Sequence, residues 1–409
     1  MFLSFWAAQT ISVFGSQITL LAIPLTASLT LGATPVDMAW LVTAGGLPLL
    51  LVSLFAGVIA DRGRRKTILI GADLGRAALL LAIPVAAWFG VLRLELLYII
   101  TFLVGILGVF FDVTAISFLP EIIRRDNLVE GNSRLESSRA ASEIAGPGLA
   151  GVLIQMLGAP LAIVVDAASF LASALLLGGA RQRTAAITTR LERPNVLRDI
   201  EAGLRYVLGQ PILRANVTYA AILNLSETIL EVVYLLALVE VFRLTPSLIG
   251  IIYATGNIGF LAGALSIDWI VKTLGLGRTL LNATLLASIS MALVLCATGP
   301  LTMVIPVLIV ARVLNSFAAT IYTITHVSVR QRIAPASIQG RVNASVRFIA
   351  GGVVPIGGAI GGLAGTQLGL VPTIAIATLG TLIGAAWIWL SPVRSLKSIG
   401  DFAQPMAEQ

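Results

Sequence analysis

The sequence predicts an all-α polytopic membrane protein with twelve transmembrane helices in two six-helix repeats. Three observations predict it. Hydrophobic residues make up 57% of the chain and charged residues 11%, against about 45–50% and 25% in soluble domains, so charge is too scarce to cover a soluble globule. Apolar segments of about 20 residues recur along the whole length, each long enough to cross about 30 Å of hydrocarbon. A pattern also recurs: Arg139 and Pro147 return as Arg347 and Pro355, both offset by 208 residues. A strand barrel would need alternating apolar and polar residues, which these continuously apolar segments lack.

Taken in order, the spans read as 2–31, 37–60, 67–90, 95–118, 133–156, 159–180, 211–240, 246–271, 277–298, 300–328, 338–368 and 370–391. The first starts apolar at once, has no basic leader and is too long for a cleaved signal peptide, so it reads as a membrane helix. Four units follow: a six-helix bundle over 1–180, a linker over 181–210, a second bundle over 211–393 and a tail over 394–409. In the linker, Val196, Leu197, Ile200, Leu204 and Val207 share one helical face, which predicts an amphipathic helix on the inner membrane surface. Each Arg–Pro pair is followed by a glycine-rich run, Gly146, Gly148, Gly151 and Gly357, Gly358, Gly361, Gly362. Two such halves in one orientation are what a two-half transporter needs.

The net charge of +7 could suggest nucleic acid, but its distribution excludes that reading. Of the 27 Lys and Arg, 22 fall in the proposed cytoplasmic segments or at their helix ends, two outside (Arg93, Arg243) and three inside the membrane (Arg139, Arg312, Arg347). That bias places both termini in the cytoplasm and the protein in a cytoplasmic (inner) membrane. The densest basic point is the turn Asp61, Arg62, Gly63, Arg64, Arg65, Lys66 between the second and third spans. The lone Cys296 excludes an intramolecular disulfide and a cysteine metal cluster. No phosphate-binding glycine loop and no His-Glu-x-x-His occurs, so neither a nucleotide cofactor nor a metal is expected, and no motif marks an enzyme.

Charge inside hydrocarbon costs at least about 2.5–3.5 kcal/mol, so it should be paired or wet. Four spans carry polar stripes at helical spacing: Gln9, Ser12, Ser16, Thr19 on the first; Tyr98, Thr101, Gly105, Gly108, Asp112 on the fourth; Asn224, Glu227, Glu231, Tyr234 on the seventh; Arg312, Asn315, Tyr322, His326 on the tenth. Such stripes at matching places suggest a shared water-accessible cavity, although interhelical hydrogen bonding explains single stripes as well. The candidates for substrate contact are Gln17, Asn224, Glu227, Tyr234, Arg312, Asn315 and Tyr322; those for proton coupling are Glu227, Glu231, Asp112 and Glu143. Glu227 and Glu231 lie one turn apart, where two like charges repel in a low dielectric and a shared proton is favoured. Arg139 and Glu143, also one turn apart, read first as a structural ion pair.

These residues resemble a known family. The Gly57 to Lys66 turn resembles the loop between helices two and three of the major facilitator superfamily, Gly, three residues, Asp-Arg, one residue, Gly-Arg-Arg, with one position missing here between Arg62 and Gly63. Gly146-Pro147-Gly148-Leu149-Ala150-Gly151 resembles the helix-five signature of its proton antiporters, with Ala150 replacing one glycine. Ile11 to Gln17 and Phe118-Leu119-Pro120 look like the branch of macrolide-efflux proteins and enterobactin exporters. The fourth span lacks the arginine that many drug antiporters carry there. The resemblance implies gating by Gly57, Asp61, Arg62, Arg64, Arg65, Gly146, Pro147 and Gly151. Asp61 would cap a neighbouring helix near Gly340, and the turn arginines would reach Asp73, Asp112 or Glu121. It implies a monomeric secondary transporter in the lipid bilayer, exporting hydrophobic or amphipathic small molecules by proton antiport and alternating access. The alternatives are a siderophore or lipid exporter, or a scaffold or sensor that has lost transport.

Overall fold

The structure, a computed structural model, describes residues 2–62, 64–123, 127–179, 196–335 and 338–395. Among these residues there is no strand. The helices are α1 (Phe2–Leu25), α2 (Pro35–Arg62), α3 (Arg65–Trp88), α4 (Leu94–Ile122), α5 (Leu128–Leu157), α6 (Ala159–Gly179), α7 (Val196–Gly209), α8 (Pro211–Leu236), α9 (Pro246–Leu274), α10 (Leu276–Leu295), α11 (Leu301–Ile333), α12 (Gln339–Gly352), α13 (Val354–Leu368) and α14 (Leu370–Leu390). Among the described residues, 11 helical stretches are long and apolar enough to cross a membrane. The 28-residue α2 brings the architecture to the expected twelve.

One element differs from the sequence reading. The span expected over 338–368 is broken at Val353 into α12 and α13. Pro355 removes the backbone donor that would reach Gly351, and Gly351 and Gly352 are poor helix formers, so the turn yields there. At the matching place in α5, Pro147 follows Glu143 and Ile144, and the helix runs through it. The amphipathic α7 also packs onto protein. Val207 is buried in a cluster with Leu213 and Val217 of α8 and Val342 and Val346 of α12. A Cβ at Gly203 would lie 2.5 Å from the Arg341 carbonyl oxygen, so glycine is what lets α7 cross α12 this closely.

The repeat is written in the backbone as well. α1 ends in a π-helical turn, Thr26–Thr30, and α8 ends in one at Ala237–Val241. Ala33 N–H then donates to the Ala27 carbonyl at 2.9 Å, and Leu244 N–H donates to that of Leu238 at 2.9 Å. The left-handed residue between them is Gly32 (φ 64°) in the first copy and Arg243 (φ 51°) in the second. A side chain in that region costs about 1–3 kcal/mol. Replacing Arg243 with glycine is therefore expected to leave the fold unchanged and stabilise it by up to about 1 kcal/mol, after allowing for the freer unfolded chain. Thermal unfolding in detergent checks this.

The chain packs as two compact units, Met1–Thr189 with Leu238–Ala254, and Arg190–Ala237 with Thr255–Gln409. The first is centred on Phe5, Leu69, Phe111, Phe118 and Leu177. The second is centred on Tyr219, Leu276, Leu280, Ile321 and Ile388. The start of α9 joins the first unit because glycines meet: a Cβ at Gly151 would lie 2.5 Å from the Pro246 carbonyl oxygen and 2.9 Å from Gly250 Cα. The linker over 180–195 and the tail beyond 395 lie outside the described residues.

Candidate functional site

In the second unit, α8 presents Asn224, Glu227 and Glu231 at helical spacing. Asn224 is anchored, its Nδ2 donating to the Ala350 carbonyl of α12 at 2.8 Å. Glu227 is half-buried and Glu231 exposed. The cation acting on both is Arg312 of α11, and Glu227 also feels the charge of Glu231. Arg312 reaches this position because Gly256 of α9 leaves room for its aliphatic stem. Two carboxylates opposed by one guanidinium leave one negative charge in excess, which a proton or the cationic group of a small molecule can balance. Asn315, one turn along α11, is half-buried.

Tyr322 and Tyr234 are placed differently. Both are buried. The Tyr322 ring meets that of Tyr219 edge-on, with centroids 4.8 Å apart. Its hydroxyl hydrogen-bonds His326 Nδ1 at 3.2 Å. The structure thus builds Tyr322 into the core of its unit. Tyr219, which no spacing in the sequence marks out, is fully buried beside it, and its hydroxyl has no partner among the described residues.

In the first unit, Arg139 Nε pairs with Glu143 Oε1 at 3.0 Å. Asp112 of α4 feels both Arg139 and Arg76. Gln17 of α1 lies against Gly146, where a Cβ would clash with its Cβ and Cγ. A Cβ at Gly250 would meet the Pro147 carbonyl in the same way. Gly146, Pro147 and Gly151 are therefore close-approach points of α5 against α1 and α9.

At the charged turn, Arg65 pairs with Glu121 at 2.6 Å and donates to the Ser117 carbonyl at 3.0 Å. Lys66 Nζ donates to the Gly178 carbonyl at 2.9 Å. The start of α3 is thus tied to the ends of α4 and α6. Arg64 is exposed. Gly57, Asp61 and Arg62 lie on α2, but their side chains, like the expected cap near Gly340, are outside the described residues.

Asp73 departs from expectation. It is fully buried and bound by Arg76, one turn along α3, and by Ser173 of α6, whose hydroxyl donates at 2.6 Å. The Arg76 guanidinium stacks between the rings of Phe111 and Phe170, at 4.5 and 4.0 Å. Arg76, counted from the sequence among the bases at helix ends, sits in the middle of α3. The visible signal was an acid and a base spaced i, i+3 within an apolar span.

The model of the transmembrane secretion effector family matches residues 1–408. The chain belongs to that family, within the major facilitator superfamily. It is 30% identical over 395 residues to the multidrug efflux pump Tap of Mycolicibacterium fortuitum, covering 93% of each chain. It is 27% identical over 273 residues to macrolide efflux protein A of Streptococcus pyogenes, covering 64% of this chain and 65% of that one. Among solved structures it resembles a bacterial homologue of the iron transporter ferroportin in an inward-facing state (TM-score 0.74, 17% identity, 95% and 97% of the chains covered). It also resembles the nucleoside transporter NupG (TM-score 0.76, 12% identity, 95% and 97% covered). At such identities these likenesses speak to the fold alone. The chain is a multi-pass membrane transporter of the major facilitator type, and its family is not one of enzymes.

Proposed function

We propose that this transporter exports hydrophobic or amphipathic small molecules in exchange for protons, by alternating access. The observation that carries the reading is the Glu227, Glu231 and Arg312 group on facing helices of one unit. Its excess negative charge suits a site that a proton and a cationic drug occupy in turn. The names of two relatives, a multidrug efflux pump and a macrolide efflux protein, support the substrate class. The basic turn at Arg64, Arg65 and Lys66 supports a cytoplasmic position for that end of the bundle, hence for both termini, in a cytoplasmic membrane.

The test uses a host lacking its own pumps, with ethidium and erythromycin as probes. Expression lowers their accumulation, and collapsing the proton gradient with ATP intact restores it. Efflux that persists after collapse contradicts proton antiport; no efflux of either probe contradicts the substrate class.

The charged turn supplies a separate prediction. Asp61 is the only acid among its bases, and a carboxylate there biases one conformation as a helix cap does. Asp61→Asn is expected to insert normally and to slow efflux about tenfold, the effect of losing a latch of about 1–3 kcal/mol. Efflux at matched membrane expression measures it, and a normal rate would reduce the turn to a topology signal.

A further inference from the structure

We propose that Arg330 of α11 and Arg347 of α12 form an oxyanion-binding site within the second unit, which takes a phosphate monoester group carried by a small anion or by a lipid headgroup. Binding there does not require proton coupling at Glu227.

The two halves of the chain treat their matching arginines differently. In the first, Arg139 has three acids around it. Glu143, one turn on, pairs with it at 3.0 Å, and Glu136 and Asp112 also act on it. Arg347 is its counterpart, offset by 208 residues. At the same offset Glu143 becomes Gly351 and Glu136 becomes Ala344. α4 brings Asp112 to Arg139, whereas α11, the corresponding helix of the second half, brings Arg330 to Arg347. Where the first half meets its cation with acids, the second meets it with another cation.

Packing holds the two arginines together. Val346, next to Arg347, lies in one apolar cluster with Ile333 and Ala334, one turn beyond Arg330. Arg347 is exposed and Arg330 half-buried, so the pair is open to a solute. Arg330 Nε is nevertheless buried, with no partner. Among the described residues neither guanidinium has an ion pair or a side-chain hydrogen bond. The last turn of α11 favours one cation through the helix dipole. That accounts for Arg330 and not for Arg347, which lies away from both ends of α12.

Facing guanidiniums repel, and a buried N–H without an acceptor is costly. A phosphate monoester answers both. Its charge, up to two, balances two guanidiniums, and its three oxygens accept from both planar forks. A carboxylate would balance only one.

Thermal unfolding of the full-length protein in a neutral detergent reads binding without transport, so the site stands or falls separately from antiport. Inorganic phosphate is titrated against chloride at constant ionic strength, and dioctanoyl phosphatidic acid against dioctanoyl phosphatidylcholine. The wild type is expected to show a saturable rise in midpoint with the phosphate-bearing probe. A rise with inorganic phosphate assigns the site to free anions; a rise with phosphatidic acid alone assigns it to the lipid headgroup. Arg330→Gln and Arg347→Gln are each expected to raise the half-saturating concentration about tenfold or more. Gly351→Glu, which restores the acid of the first half, is expected to do the same by supplying an internal anion, and to raise the midpoint measured without any probe. It keeps both arginines, so it decides the matter if the arginine variants do not fold. No rise with either probe, or a rise undiminished in either arginine variant or in Gly351→Glu, would overturn the site.

Discussion

Glu227→Gln is expected to abolish proton-driven accumulation while leaving substrate binding and passive exchange in place. Glutamine keeps the size of the side chain and removes the charge, so Arg312 still has Glu231 to oppose it. Exchange of one proton for one ethidium cation is electroneutral, so one pH unit supplies about 1.4 kcal/mol, enough for about tenfold accumulation. The variant should fall to a ratio near one. Glu231→Gln should have a smaller effect, because the more buried acid is the one whose charge is costlier to hold. A structural role for Glu227 predicts something else, loss of expression or thermal stability along with transport. Inverted membrane vesicles with an acid lumen and ethidium as probe separate the two. Full accumulation in both variants would remove these residues from coupling, and Asp112 and Glu143 would be the next to test.

Arg76→Met is expected to be the most damaging single change for stability. It removes the partner of a fully buried carboxylate, Asp73, which keeps only the Ser173 hydroxyl. Breaking a buried pair on one side costs about 3–5 kcal/mol. It also empties the space between Phe111 and Phe170, where the guanidinium stacks. Adding Asp73→Leu should recover much of the loss, because a matched apolar pair is often no less stable than a buried ionic one. Thermal unfolding in detergent and yield from the membrane report both effects. A wild-type midpoint in the single variant would mean that the pair contributes nothing.

Much of the architecture was legible. Long apolar runs broken by charged turns define the spans, because the bilayer forces each span to satisfy its own backbone in a helix. The recurrence of Arg139 and Pro147 as Arg347 and Pro355 showed the repeat, and the matching π turns after α1 and α8 carry it into the backbone. The break at Val353 was present in Gly351, Gly352 and Pro355, but its twin at Pro147 does not break, so the motif alone was insufficient. Side-chain partners were harder to read. Arg76 lies within reach of a helix end by simple counting, and only the packing of α3 against α4 and α6 shows it between two aromatic rings. Tyr322 shares a helical face with Arg312, yet the approach of α8 and its Tyr219 decides that this face is core at one level and polar at another. The close contact of Gly146 with Gln17 depends on which helices are neighbours, which periodicity does not encode.

Proton movement during substrate flow is the most direct measurement of coupling. Proteoliposomes carrying a trapped pH dye are loaded with ethidium and diluted into ethidium-free buffer of the same pH. The account predicts that ethidium efflux acidifies the lumen in the wild type, and that Glu227→Gln exchanges ethidium with no pH change. Ethidium efflux by the wild type with a constant lumen pH would contradict it.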